Sequence, residues 1–112
     1  NQTQQLIASL KTLAIEQDTA LWKRVAKELE SPSRRQREVN IYKLESYARD
    51  GETIIVPGKI LGNGVLSKKI TVAALSISQA AHEKISSNNG EVLTIAQLMQ
   101  ANPKASKVRI MG

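Results

Sequence analysis

The segment from Pro57 to Lys69, Pro-Gly-Lys-Ile-Leu-Gly-Asn-Gly-Val-Leu-Ser-Lys-Lys, joins three glycines to three lysines. Glycine permits positive φ and lets the backbone approach a ligand closely. Main-chain N–H groups in such loops can face phosphate oxygens, and Lys59, Lys68 and Lys69 add positive charge. The spacing excludes a P-loop, because no Gly-Lys-Ser/Thr follows a glycine five positions earlier. A dinucleotide fingerprint is excluded too: Gly62-Asn63-Gly64-Val65-Leu66-Ser67 lacks the last glycine and no clear helix follows. Three readings stay open on residue chemistry. Asn63-Gly64 can be the tip of a tight turn between two strands. Gly62, Asn63 and Gly64 can instead offer their backbone to a polyanion, or the loop can cradle a mononucleotide.

The second candidate is Arg34-Arg35-Gln36-Arg37. Three guanidinium groups in four positions repel one another, and a bound phosphate relieves that repulsion through bidentate hydrogen bonds. A solvated basic loop is the competing reading. Lys23, Arg24 and Lys27 share one side of a helix. With Glu28 and Glu30 nearby they read as a solvated mixed face. Lys104, Lys107 and Arg109 make the C-terminal stretch basic.

Little else in the chain is chemically active. Cysteine is absent, which excludes disulfides, thiolate nucleophiles and Cys-ligated metals, and weakly fits a reducing compartment. His82 is the only histidine; it has no nearby Ser, Cys or His partner and reads as a surface residue. The carboxylates are scattered and match no metal loop. The expected chain is therefore not an enzyme and has no cofactor or metal. Aromatic residues are 3% of the sequence, too few for a typical single-strand reader that stacks bases on several rings. Trp22 falls on an apolar helical stripe and reads as core, Tyr42 as exposed, and Tyr47 as packing at the rim of its helix.

The 112 residues suit one domain, 1–112. Sixteen Lys+Arg against ten Asp+Glu leave a net charge of +6. This balance favours polyanion partners, above all nucleic acid. No apolar run approaches membrane length and no signal peptide is visible, so no membrane partner is expected.

Local patterns place the elements. Leu6, Ile7, Leu10, Leu13 and Ala14 repeat at helical spacing after Thr3, a candidate cap. Asp18 or Thr19 can cap a second helix with apolar face Leu21, Trp22, Val25, Ala26 and Leu29, which Pro32 ends. These two helices, within 1–31, read as a hairpin. Over 38–112 short strands alternate with short helices. Helical spacing covers Ile41, Leu44, Tyr47 and Ala48, and Asp50-Gly51 turns the chain. Thr53–Val56 is a strand ended by Pro57-Gly58, and Lys69–Ile77 is a buried strand. Ser78 caps Gln79–Ser86, Val92-Leu93 is extended, Thr94 caps Ile95–Ala101, and Val108–Met111 closes with a strand. Asn40, Ile41 and Leu44 recur as Thr94, Ile95 and Leu98, each 54 positions later, a weak internal repeat of strand, cap, helix, turn and strand. The expected fold class is α/β: an N-terminal helical hairpin followed by an irregular strand–strand–helix layered body.

The string VPGKILGNGVLSKKITVAA, Val56 to Ala74, resembles the signature region of the archaeal and eukaryotic large-subunit ribosomal protein family "eighteen-e". That family shares a superfamily with bacterial large-subunit ribosomal protein fifteen. The likeness extends upstream through the Arg-rich turn, Glu38-Val39-Asn40 and Tyr47-Ala48. Downstream it runs through Asn102-Pro103 to Lys107-Val108-Arg109-Ile110, covering the chain from about Leu21 to its end. The archaeal type is favoured, because the long basic arm of the bacterial relatives and the eukaryotic extension have no counterpart. The resemblance implies a structural, cytoplasmic constituent of the large ribosomal subunit. Its implied partners are large-subunit ribosomal RNA and neighbouring ribosomal proteins, with no homo-oligomer. RNA-contacting character then maps onto Arg34, Arg35, Arg37, Lys59, Gly62, Asn63, Gly64, Lys68 and Lys69. The alternatives are an RNA-binding ribosome-assembly factor or a small nucleotide-binding enzyme.

Overall fold

A computed structural model describes residues 2–30 and 37–111. Helix α1 (Gln2–Gln17) and helix α2 (Ala20–Leu29) form the expected hairpin. Two residues join them, and Asp18 reverses the chain at φ 49°. Thr3 lies inside α1 rather than before it. Thr19 occupies the N-cap of α2, but its hydroxyl donates to the Gln17 carbonyl instead of accepting from the first turn.

The body follows as β1 (Arg37–Asn40), α3 (Ile41–Tyr47), β2 (Thr53–Leu61), β3 (Thr71–Ile77), α4 (Gln79–Ser87), β4 (Glu91–Thr94), α5 (Ile95–Ala101) and β5 (Val108–Ile110). Ser78 caps α4 by accepting from the Ala81 N–H at 3.2 Å. Thr94 and Gln97 form a reciprocal capping box on α5. The internal repeat is real at the level of elements: β1 and β4, and α3 and α5, begin and end 54 positions apart.

All five strands are parallel. β2 is the hub. One edge pairs with β3; the other pairs with β5 along Thr53–Ile55 and then with β1 along Gly58–Leu61. β4 pairs with the far edge of β3. β2 runs through Pro57-Gly58 instead of ending there. The ladder to β3 shifts register between Val56 and Lys59. Such an irregularity tolerates a residue with no N–H to donate.

Alternation of period two sends side chains to opposite faces of the sheet. Ile54, Val56, Val72 and Ala74 join Ile41, Leu44, Ala81 and Ile85 of α3 and α4 in one core. Ile55 and Ala73 join Leu10, Trp22, Val25, Ile95 and Leu98 of α1, α2 and α5 in the other. The result is a helix–sheet–helix sandwich, the α/β class expected. Trp22 is fully buried, and its indole N–H donates to the Pro103 carbonyl at 2.7 Å, tying the hairpin to the segment before β5. Tyr42 is exposed as expected. Tyr47 is 63% exposed rather than packed at a rim, because α3 buries Ile41 and Leu44 instead.

Candidate nucleic-acid interface

The tight-turn reading of Asn63-Gly64 fails. A tight turn joins antiparallel strands, whereas β2 and β3 are parallel and the chain must return to the start of the sheet. Residues 62–70 make that crossover without a helix, in fewer than the roughly dozen residues such connections usually need. The glycines make this close path possible. A Cβ on Gly62 would lie 2.6 Å from the Ala80 Cβ at the start of α4. One on Gly64 would lie 2.5 Å from the Tyr42 nitrogen at the start of α3, and Gly64 holds φ +115°. The loop is thus wedged between the first turns of two helices.

Its carbonyl groups are consumed inside the protein. Lys84 Nζ, from α4, donates to the Gly62 and Gly64 oxygens, each at 2.5 Å. The Tyr42 N–H donates to the Asn63 oxygen at 2.9 Å. Asn88 Nδ2 donates to the Leu66 oxygen at 2.7 Å, and the Leu66 side chain is buried. Further along, Glu45 Oε2 accepts from the Ser67 N–H at 2.9 Å and from its hydroxyl at 2.6 Å. Lys68 Nζ donates to the Glu45 and Ala48 carbonyls at 2.5 and 2.8 Å. This puts a cation on the free carbonyls ending α3, the negative end of that helix. The crossover ends where the Lys69 N–H donates to Asp50 Oδ1 and the Lys69 oxygen accepts from the Gly51 N–H.

The sequence-selected candidates therefore separate. Arg34 and Arg35 lie outside the described residues, as does the side chain of Arg37. The Arg37 backbone pairs with Gly58, which brings the end of the basic loop beside Lys59. Lys59 is exposed with no partner among the described residues, and Gly62–Gly64 follow at the end of the same strand. Lys69 is exposed at the opposite end of the sheet, where Lys107 also lies. Lys68 is half-buried against α3. Arg109 Nη2 donates to Glu52 Oε1 and the Tyr47 carbonyl at 2.7 and 2.6 Å, so its guanidinium is already engaged.

Sequence reasoning missed Lys84. A signal for it exists: Ala81, Lys84 and Ile85 of α4, with the C-cap Asn88, follow one inward i, i+3, i+4, i+7 stripe. Two polar residues on an inward stripe require internal partners.

The model of a family described as ribosomal protein 60S L18 and 50S L18e matches residues 1–112. The chain belongs to this family. The large ribosomal subunit protein eL18 of Methanoregula boonei is 47% identical over 95% of this chain and 88% of its own length. The eL18 proteins of Methanococcus maripaludis and Haloarcula marismortui are 44% and 45% identical, over 98% and 95% of this chain and 92% and 90% of their own lengths. L18e-family members are structural ribosomal proteins, not enzymes, and the nucleotide-enzyme reading of the glycine loop is dropped. In this L18e-family chain the lone histidine, His82, is exposed on α4, 3.4 Å from the Ser86 hydroxyl one turn on. No group of three or more His, Cys, Asp or Glu among the described residues is arranged to hold a metal ion. No helix among them is long and apolar enough to cross a membrane.

Proposed function

We propose that this L18e-family protein is a structural constituent of the large ribosomal subunit that binds ribosomal RNA through charge neutralisation and shape fit. Membership in a family whose relatives are named large ribosomal subunit proteins carries the reading. The net charge of +6 supports it. A five-stranded parallel sheet buried on both faces supplies a rigid body that can fix the relative position of RNA segments. The proposed contacts are Arg34, Arg35 and Arg37, together with Lys59 and Gly62–Gly64 at one end of the sheet and Lys69 at the other. Lys68 contributes charge while holding α3. Neighbouring ribosomal proteins are the further partners, and the cytoplasmic ribosome is the place of action.

The test is sucrose-gradient fractionation of a native-host lysate, with this chain located by mass spectrometry. Stoichiometric sedimentation with the large subunit through a moderate salt wash is expected. Recovery only in light fractions, or only on precursor particles, would replace this reading with that of a free RNA-binding protein or an assembly factor.

A further inference from the structure

The loop that follows β2 is held from beneath by a cation. Lys84 Nζ binds the carbonyls of Gly62 and Gly64. In a trans peptide the N–H points opposite to the C=O of the same plane. The Gly62–Asn63 and Gly64–Val65 peptides therefore both turn their N–H groups away from Lys84. Asn63 and Val65 are exposed, Val65 at 78%, and no described residue accepts a hydrogen bond from either N–H. The peptide between them is turned by a different partner, the Tyr42 N–H on the Asn63 oxygen. Two helices thus fix three successive peptides. The Lys84 ammonium also polarises the two amides it binds, which makes their N–H groups better donors.

We propose that the Asn63 and Val65 N–H groups form a main-chain seat for phosphate oxygens of the RNA backbone, and that Lys84 is its positioning residue. Two exposed N–H groups turned away from an ammonium, with no acceptor among the described residues, suit anionic oxygens. Lys84 touches no RNA: two of its three donors are spent inside the protein. This rests on the ribosomal-RNA reading above, and the tests separate the two.

Full-length protein is titrated with protein-free archaeal large-subunit rRNA over a range of salt concentrations. Lys84→Met is expected to weaken binding about tenfold, the scale of losing hydrogen bonds to a charged group. The slope of log K against log salt is expected to stay unchanged, because no phosphate-neutralising side chain is lost. In contrast, Lys59→Met is expected to flatten that slope by about 0.7 to 0.9. Should Lys84→Met flatten it equally, Lys84 is itself a phosphate contact and the positioning role is wrong. A semisynthetic chain with an ester in place of the Val65 N–H removes one donor and leaves Lys84 intact. It decides the matter if Lys84→Met does not fold, and undiminished binding by the ester overturns the seat. If the unmodified protein binds no rRNA, the ribosomal reading fails instead. Inorganic phosphate then probes the seat alone: selective movement of the Asn63 and Val65 amide resonances supports it, and their invariance overturns it.

Discussion

Gly64 and Trp22 show how single residues carry this fold. Gly64 holds φ +115°, and a Cβ there would meet the backbone of Tyr42, which cannot swing aside as a flexible side chain would. Gly64→Ala is expected to destabilise the protein by about 1–3 kcal/mol, measured by urea unfolding. Trp22 spans the hairpin and the Pro103 carbonyl. Trp22→Phe keeps an aromatic ring but loses the indole donor, leaving that carbonyl without this partner and some volume unfilled. A loss of about 1–3 kcal/mol is expected by the same measurement. Trp22 was legible as core from its place on an apolar stripe. Its hydrogen bond was not, because the acceptor lies 81 positions away. Lys68 was readable as a cation but not as the cap of α3, since its carbonyl partners lie 20 and 23 positions back along the chain.

At the scale of elements, the caps divide into working and idle ones. Ser78 and Thr94 accept from the first turns of α4 and α5, whereas the Thr19 hydroxyl bonds back to Gln17. Ser78→Ala and Thr94→Ala are each expected to cost about 1 kcal/mol, and Thr19→Ala to stay within about 0.5 kcal/mol of the parent protein. Equal losses at all three sites in urea denaturation would contradict this division. The working caps were legible because each bond closes over three residues. Thr19 has the same residue type in the same position, but the tight link through Asp18 at φ 49° sends its hydroxyl elsewhere. The boundary drawn at Pro57 was misplaced for a related reason. Proline marks a break by local rules, yet β1 and β3 flank the second half of β2 and hold it extended as far as Leu61.

For the whole molecule, charge and topology act together. The positive charge lies on several elements, and the backbone of Arg37, the last of the three arginines, pairs with Gly58 next to Lys59. Replacing Arg34, Arg35 and Arg37 together with Ala is expected to weaken rRNA binding. It should also flatten the salt slope by about 0.7 to 0.9 for each phosphate left without its arginine, with the circular dichroism spectrum unchanged. Filter binding at two or more salt concentrations checks it, and unchanged affinity would remove the basic loop from the interface. The α/β class, the helical hairpin and the 54-residue repeat were legible here, because amphipathic spacing and capping residues repeat along the chain. The parallel direction of every strand was not legible, and it rules out the tight-turn reading of Asn63-Gly64 in favour of a crossover.

The sequence by itself determined the excess of positive charge, the absence of thiol chemistry, the helix starts at Ser78 and Thr94, and the family signature from Val56 to Ala74. Those properties reside in composition or in contacts closed within a few residues, so they survive without knowledge of the fold. The tertiary structure decided which cations face solvent and which turn inward. The side chains of Lys59 and Lys69 have no partner among the described residues, while those of Lys68 and Lys84 are drawn onto carbonyls at the end of α3 and of the glycine crossover. All four are lysines with the same formal charge. They differ because α3 and α4 pack against one face of the sheet and leave main-chain oxygens there that water reaches poorly, and a half-buried ammonium satisfies them.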